Sequence, residues 1–213
     1  MENHNLAGKL YRVCEWIMRL AYLNVLWIIF TLAGLILFGL FPSTAAMFEI
    51  SRKWIEGETD LPVFTTFWRT YKKEFFKVQS LGLVLVSTGV IFFVDYHYMQ
   101  SHFAVKESPF LIASMFSLIV FYLIAAMFIF PIYAYFQTNL LSYFKNALIL
   151  GISYPVHSLV MAGGMVLIVV FNLRFPGFSL FLSGSLLSLW LTYIARNVFV
   201  RIAKRRNTGV KVS

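Results

Sequence analysis

Nine acids and four histidines make up nearly all the acid–base chemistry available to this chain of 213 residues. Glu2, Glu15, Glu49, Glu56, Glu58, Asp60 and Glu74 fall outside the long apolar stretches, Glu107 falls in a short connection, and only Asp95 lies within a stretch. An ionisable group at such a position marks a candidate path for a solute or a proton. In the last turn of its segment, beside His97 and His102, Asp95 reads first as an acid satisfied at a wet edge and second as part of such a path. His157 follows Pro155 at the start of another apolar segment. It reads as a hydrogen-bonded packing residue or, with Asp95, as part of such a path. His97, His102 and Glu107 are too loosely spaced for a zinc site, which needs three or four ligands at fixed geometry. Cys14 is the single cysteine, so neither an internal disulfide nor a multi-cysteine metal site can form. Phosphate-binding loops and Ser/His/Asp arrangements are missing from the sequence. The expectation is a protein with no catalytic residues, no cofactor and no metal.

The elements that carry these residues are set by composition. Apolar residues make up 60% of the chain and charged residues 13%, against roughly 25% charged in soluble proteins. Mean hydropathy is +0.76. A helix of about 20 apolar residues crosses the hydrocarbon core, and five segments qualify: 20–41, closed by Pro42, then 78–98, 110–135, 152–171 and 178–198. Residues 172–177 read as a tight turn, making the last two antiparallel neighbours. The fold class is thus all-α, a single polytopic membrane bundle over 1–213 with added amphipathic helices. Charges spread along residues 1–19 mark a retained amphipathic N-terminus and not a cleaved signal.

Residues 42–77 predict a helical hairpin. Ser43 or Thr44 caps a first helix ended by Gly57, and Thr59 or Asp60 caps a second with Pro62 in its first turn. In the second, Phe64, Phe67, Trp68, Tyr71, Phe75 and Val78 form an apolar stripe, and Arg69, Lys72, Lys73 and Lys77 lie off it. A basic amphipathic helix of this kind reads as lying on a membrane surface, and its four cations are candidate partner-docking residues. In the last span, Ser179 with Ser183, and Gly184 with Ser188, are small-xxx-small pairs that let helices approach closely. They predict packing against the fourth span or a homodimer. The basic tail 199–213 fits attraction to anionic lipid at the cytoplasmic face. It lacks the interleaved aromatics and reader domain of a nucleic-acid protein, and none is expected as a partner.

Five crossings with the N-terminus outside put thirteen Lys and Arg in the cytoplasm and five outside, the sense that the positive-inside rule favours. Four crossings, with 20–41 as a re-entrant or interfacial hairpin, would divide them sixteen to two. The length and apolarity of 20–41 favour five.

Residues 35–97 carry a resemblance. Gly39, Phe41-Pro42, Thr44-Ala45-Ala46, Arg52-Lys53-Trp54, Gly57, Phe64, Phe67-Trp68, Tyr71-Lys72, Phe75 and the Asp at 95 resemble the YesL-like bacterial membrane proteins, domain-of-unknown-function family 624. The resemblance implies a bacterial cell-membrane protein, mostly of Firmicutes, encoded beside carbohydrate ABC transporters, polysaccharide-degrading enzymes or their sensors. It brings no family site residues. A sugar ABC transporter component is thus a candidate partner, although 42–77 lacks the EAA---G pattern of permease loops. The functional expectation is a non-enzymatic accessory component of carbohydrate uptake or the envelope. The alternative is a small transporter or channel lined by Asp95 and His157.

Overall fold

The computed structural model describes residues 2–102 and 109–209, so Lys106 and Glu107 lie outside the described residues. Within them the chain is helical: α1 (Glu2–Ala33), α2 (Leu37–Glu56), α3 (Val63–His102), α4 (Pro109–Tyr135), α5 (Leu140–Ser153), α6 (Pro155–Arg174) and α7 (Pro176–Gly209). Five helices contain stretches long and apolar enough to cross a membrane: Gly8–Ala33, Val63–Tyr98, Ala113–Tyr135, Pro155–Arg174 and Leu180–Lys204.

The apolar segment 20–41 is not one helix. It breaks at Gly34–Ile36 and reverses. The Ile36 N–H donates to the Thr31 carbonyl at 2.9 Å and the Leu35 N–H to the Leu32 carbonyl at 3.0 Å, the paired bonds of a Schellman C-terminus. Leu35, with φ 56°, occupies the left-handed position that glycine normally takes. Around Ile36 (φ 64°, ψ −64°) the Leu37 N–H then donates to the Leu35 carbonyl at 2.7 Å. This is the strained γ-turn of positive φ.

The glycines are used elsewhere. A Cβ on Gly34 would lie 2.3 Å from Gly39 Cα, and one on Gly39 would lie 2.5 Å from the Thr31 carbonyl oxygen. Both glycines are needed for α1 and α2 to touch backbone to backbone. Leu35→Gly should therefore stabilise the protein by about 1 kcal/mol, seen as a higher midpoint of thermal unfolding in detergent.

The reversal sends α2 back through the bundle, where it becomes the central element. Pro42, expected to close a span, is buried inside α2, and Ala45, Ala46, Met47, Phe48, Ile50, Ser51 and Trp54 are buried with it. The helix ends where predicted, at Gly57 with φ 101°. Residues 42–77 lie in two antiparallel helices joined after Gly57, as the hairpin reading has it, but these helices extend beyond that range at both ends. Their first half is core, and their second half is continuous with the next apolar segment in the 40-residue α3. Of the predicted apolar stripe, Phe67, Tyr71 and Val78 are buried, Phe75 is half-buried, and Phe64 and Trp68 are exposed.

α2 and α3 run antiparallel. The Gln79 amide reaches the Leu37 carbonyl at 3.4 Å, and the Phe41 ring fills the space over Gly82. The α1–α2 reversal thus sits level with the middle of α3, which continues past it for roughly 35 Å to His102.

The small-residue face of α7 packs on α1 and α2, not on α6. Gly184 lies against Asn24 and Met47, and the Ser188 hydroxyl meets that of Ser51 at 2.8 Å. Asn24 bonds the Leu180 carbonyl at 2.7 Å and accepts from the Ser185 N–H at 3.2 Å. Backbone approach at Gly184 gives Asn24 room to make these bonds. Ser183 lies half-buried on the same helix, and the side chain of Ser179 lies outside the described residues. α6 packs antiparallel to α7 through Gly164, where the Trp190 ring sits. Pro155 takes the first position of α6, where its missing N–H costs no bond. α5, not foreseen as a helix, covers α4 through Tyr143, Ala147 and Gly151.

Both ends of the chain converge on one end of the bundle. Arg19 in α1 donates to the Thr59 carbonyl at 2.5 Å and reaches Asp60 at 3.4 Å, both in the α2–α3 connection. Phe199 in α7 packs 5.1 Å from both Tyr135 and Phe136 at the end of α4. One cleft joins the α2–α3 connection to that end of α4. The α1–α2 reversal brings the chain back beside α1, so the α2–α3 connection lies next to Arg19.

Candidate functional site

At this converging end a polar cleft of about 530 Å³ opens between α2, the first half of α3 and the end of α4. Helical spacing builds each wall. Glu49, Arg52 and Lys53 come from the last two turns of α2. On α3, Arg69, Lys73 and Lys77 recur every four residues and so share a face, with Thr65, Thr66 and Thr70 beside them. Tyr133, Tyr135, Phe136 and Gln137 close the third side, with Tyr143 of α5 behind them.

Five cationic and two anionic side chains line the cleft, and both carboxylates are engaged. Arg52 clamps Glu49 with two bonds, 2.6 and 3.2 Å, and reaches Glu56 at 2.7 Å. Its guanidinium also lies 5.7 Å from the centre of the Tyr135 ring. Burial pushes the Arg52 pKa down, but the hydrogen bond and charge of Glu49, with the charge of Glu56, outweigh it and hold the pKa above its ordinary value. Glu74 accepts from the Tyr133 hydroxyl at 2.5 Å and lies 3.4 Å from Lys73. Lys77 faces rings instead of a carboxylate, 5.5 Å from the centre of Tyr133 and 5.7 Å from that of Tyr143. Among the described residues, Arg69 and Lys77 have no carboxylate partner. The buried Tyr135 hydroxyl in the same wall likewise has no hydrogen-bond partner among them. The cleft is therefore net positive and rich in hydroxyl donors, suited to holding an anion.

Three of the four predicted docking cations, Arg69, Lys73 and Lys77, line this cleft. Lys72 turns away and sits 4.2 Å from the centre of the Trp68 ring. Sequence reasoning missed Glu49, Arg52, Tyr133 and Tyr135. The available signal was the Glu49–Arg52–Glu56 spacing of three and four, which places an arginine between two carboxylates on one helical face. Asp95 and His157 are not brought together. Asp95 is exposed far along α3, beyond the level at which Tyr122 of α4 bonds the Leu85 carbonyl at 3.0 Å. His157 stands at the first turn of α6, edge-on to Tyr154 at 5.9 Å and near enough to Arg201 to feel its charge. Among the described residues, no cluster of His, Cys, Asp and Glu could hold a metal.

Comparison with known proteins adds a family. A family model described as "Protein of unknown function, DUF624" matches residues 20–96, the stretch that supplies the α2 and α3 walls of the cleft. The chain is 39% identical over 203 residues to the uncharacterized protein YesL of Bacillus subtilis (strain 168), with 95% of each covered. It is 38% identical to YteU of the same organism, covering 95% of this chain and 90% of that protein. It is also 38% identical to YesV, covering 91% and 92%. No solved structure matches the chain.

Proposed function

This chain belongs to the DUF624 family, and from that premise we propose that it is a non-enzymatic accessory component of a carbohydrate-uptake or cell-envelope system, docking its partner at the basic end. The observation that carries this reading is the gathering of Arg69, Lys73 and Lys77 with Arg52 and Lys53 around one open cleft. Lys72 is exposed beside it. A convergent cationic surface steers and orients an acidic partner. The association with carbohydrate systems comes from the family resemblance. The transporter reading is the less supported of the two, because Asp95 is exposed on α3 and His157 in α6 packs beside Tyr154, with no contact between them.

The test is cross-linked affinity purification from native membranes in mild detergent. A sugar-transporter permease or its ATPase is expected to come through with the protein. Lys72→Glu with Lys73→Glu should cut that recovery about tenfold, corresponding to 1.4 kcal/mol. Unchanged recovery removes this end as the docking face.

The basic end faces the cytoplasm in this proposal. Lys9, Arg12 and Arg19 of α1 lie at the same end as the cleft cations and as Arg196, Arg201 and Lys204 of α7. The bacterial cell membrane holds such charge on its inner face, against anionic lipid. Cysteines placed at Gly8 and at Lys204, in a Cys14→Ser background, should both resist an impermeant maleimide on intact cells and both react in inverted vesicles. Opposite labelling of the two positions would mean an odd number of crossings and overturn this arrangement.

A further inference from the structure

We propose that the cleft is a phosphate-ester site, occupied by the headgroup of an anionic phospholipid. This goes beyond partner docking and does not depend on it. With Glu49 engaged by Arg52, and Glu74 by Tyr133 and Lys73, the charges on Arg69 and Lys77 are left for a ligand. They lie eight residues apart on one face of α3 with Lys73 between them, about 12 Å along the helix, a spacing that places a phosphate between two adjacent members. Lys and Arg supply charge-assisted hydrogen bonds to phosphate oxygens. Thr66 and Thr70 in the same cleft, with the unpartnered Tyr135 hydroxyl, suit the hydroxyl groups of a glycerol headgroup.

The mouth of the cleft favours a lipid over a soluble ester. Phe136 lines it and is 46% exposed, and Phe76, next to Lys77, is 86% exposed. Tyr133 and Tyr135 line the same cleft half-buried, amphipathic rings of the kind found at the headgroup layer. A phospholipid could place its phosphate among the cations and leave its acyl chains against the exposed rings of Phe76 and Phe136. Basic pockets between membrane helices hold headgroups in this way.

The experiment is native mass spectrometry and thermal unfolding of delipidated protein titrated with phosphatidylglycerol, phosphatidylcholine, sn-glycerol 3-phosphate and inorganic phosphate. Phosphatidylglycerol is expected to be retained at least tenfold better than phosphatidylcholine and to raise the unfolding midpoint. Arg69→Gln with Lys77→Gln should abolish the preference. Lys145→Gln, which removes an exposed charge outside the cleft, should leave it intact. Arg69→Gln alone, at an exposed position without an ion pair, reports the same loss in part should the double variant be poorly folded. Saturable binding of sn-glycerol 3-phosphate with no preference for phosphatidylglycerol would assign the site to a soluble ester and overturn the lipid. Equal retention of both lipids, or equal loss of preference with Lys145→Gln, would overturn the site itself.

Discussion

Gly39→Ala is expected to cost about 3 kcal/mol or more, leaving little folded protein in detergent. The added Cβ would lie 2.5 and 2.6 Å from the carbonyl oxygens of Thr31 and Phe30, and 2.8 Å from Thr31 Cα. All three are backbone atoms held by the hydrogen bonds of the reversal, so no rotamer change can relieve the clash. Either α2 moves away from α1 or the reversal opens. Both outcomes strip the core that α2 forms with its neighbours. Gly163→Ala is the control: nothing lies within 4 Å of that position. It should be neutral or stabilising by up to about 1 kcal/mol through helix propensity alone. Fluorescence-detected size exclusion after a heating series distinguishes the two, and equal profiles would mean that the α1–α2 contact is looser than described.

Arg52→Leu should be the most damaging single change at the cleft, at about 3 kcal/mol. It leaves Glu49 largely shielded from water without its cation, and Glu56 close by with the same charge. The cost lies in the stranded carboxylate more than in the lost bond. Glu49→Leu combined with Arg52→Leu should therefore recover most of the lost stability, giving a large favourable coupling in a double-mutant cycle. Additive losses would show that Arg52 acts through Tyr135, over whose ring it lies, and not through Glu49.

The legible parts of this fold were those governed by local chemistry. The left-handed Gly57 was readable as a C-terminal residue because the charged turn before it ends there. The α6–α7 hairpin followed from Asn172–Gly177, and Pro155 from its place at a helix start. The reversal was not legible. Gly34-Leu35-Ile36-Leu37 offers one glycine, and the positive-φ positions fall on the two residues after it, where leucine and isoleucine carry a conformational cost. Only packing against Gly39 and Tyr71 explains the choice. The burial of α2 was hidden for a related reason. Glu49, Arg52 and Glu56 look like a solvated face, but they satisfy one another across a single helical turn. The cleft was half visible. Three of its cations stood out on α3, whereas its tyrosines lie some sixty residues away in sequence and are brought in by the antiparallel pairing of α3 with α4.

The central position of α2 also sets a requirement on how the protein is made. A segment carrying Glu49, Arg52, Lys53 and Glu56 partitions poorly into lipid by itself, so its insertion should depend on pairing with α1. That pair stays unsealed while the middle of the chain is synthesised, because the hydroxyl facing Ser51 and the backbone facing Asn24 belong to α7. Asn24 and Ser51 are completed by residues 137 to 161 positions later in the chain. Removing α7 would therefore leave Asn24 and Ser51 without these partners, and the α1–α2 pair would face its surroundings along a polar seam.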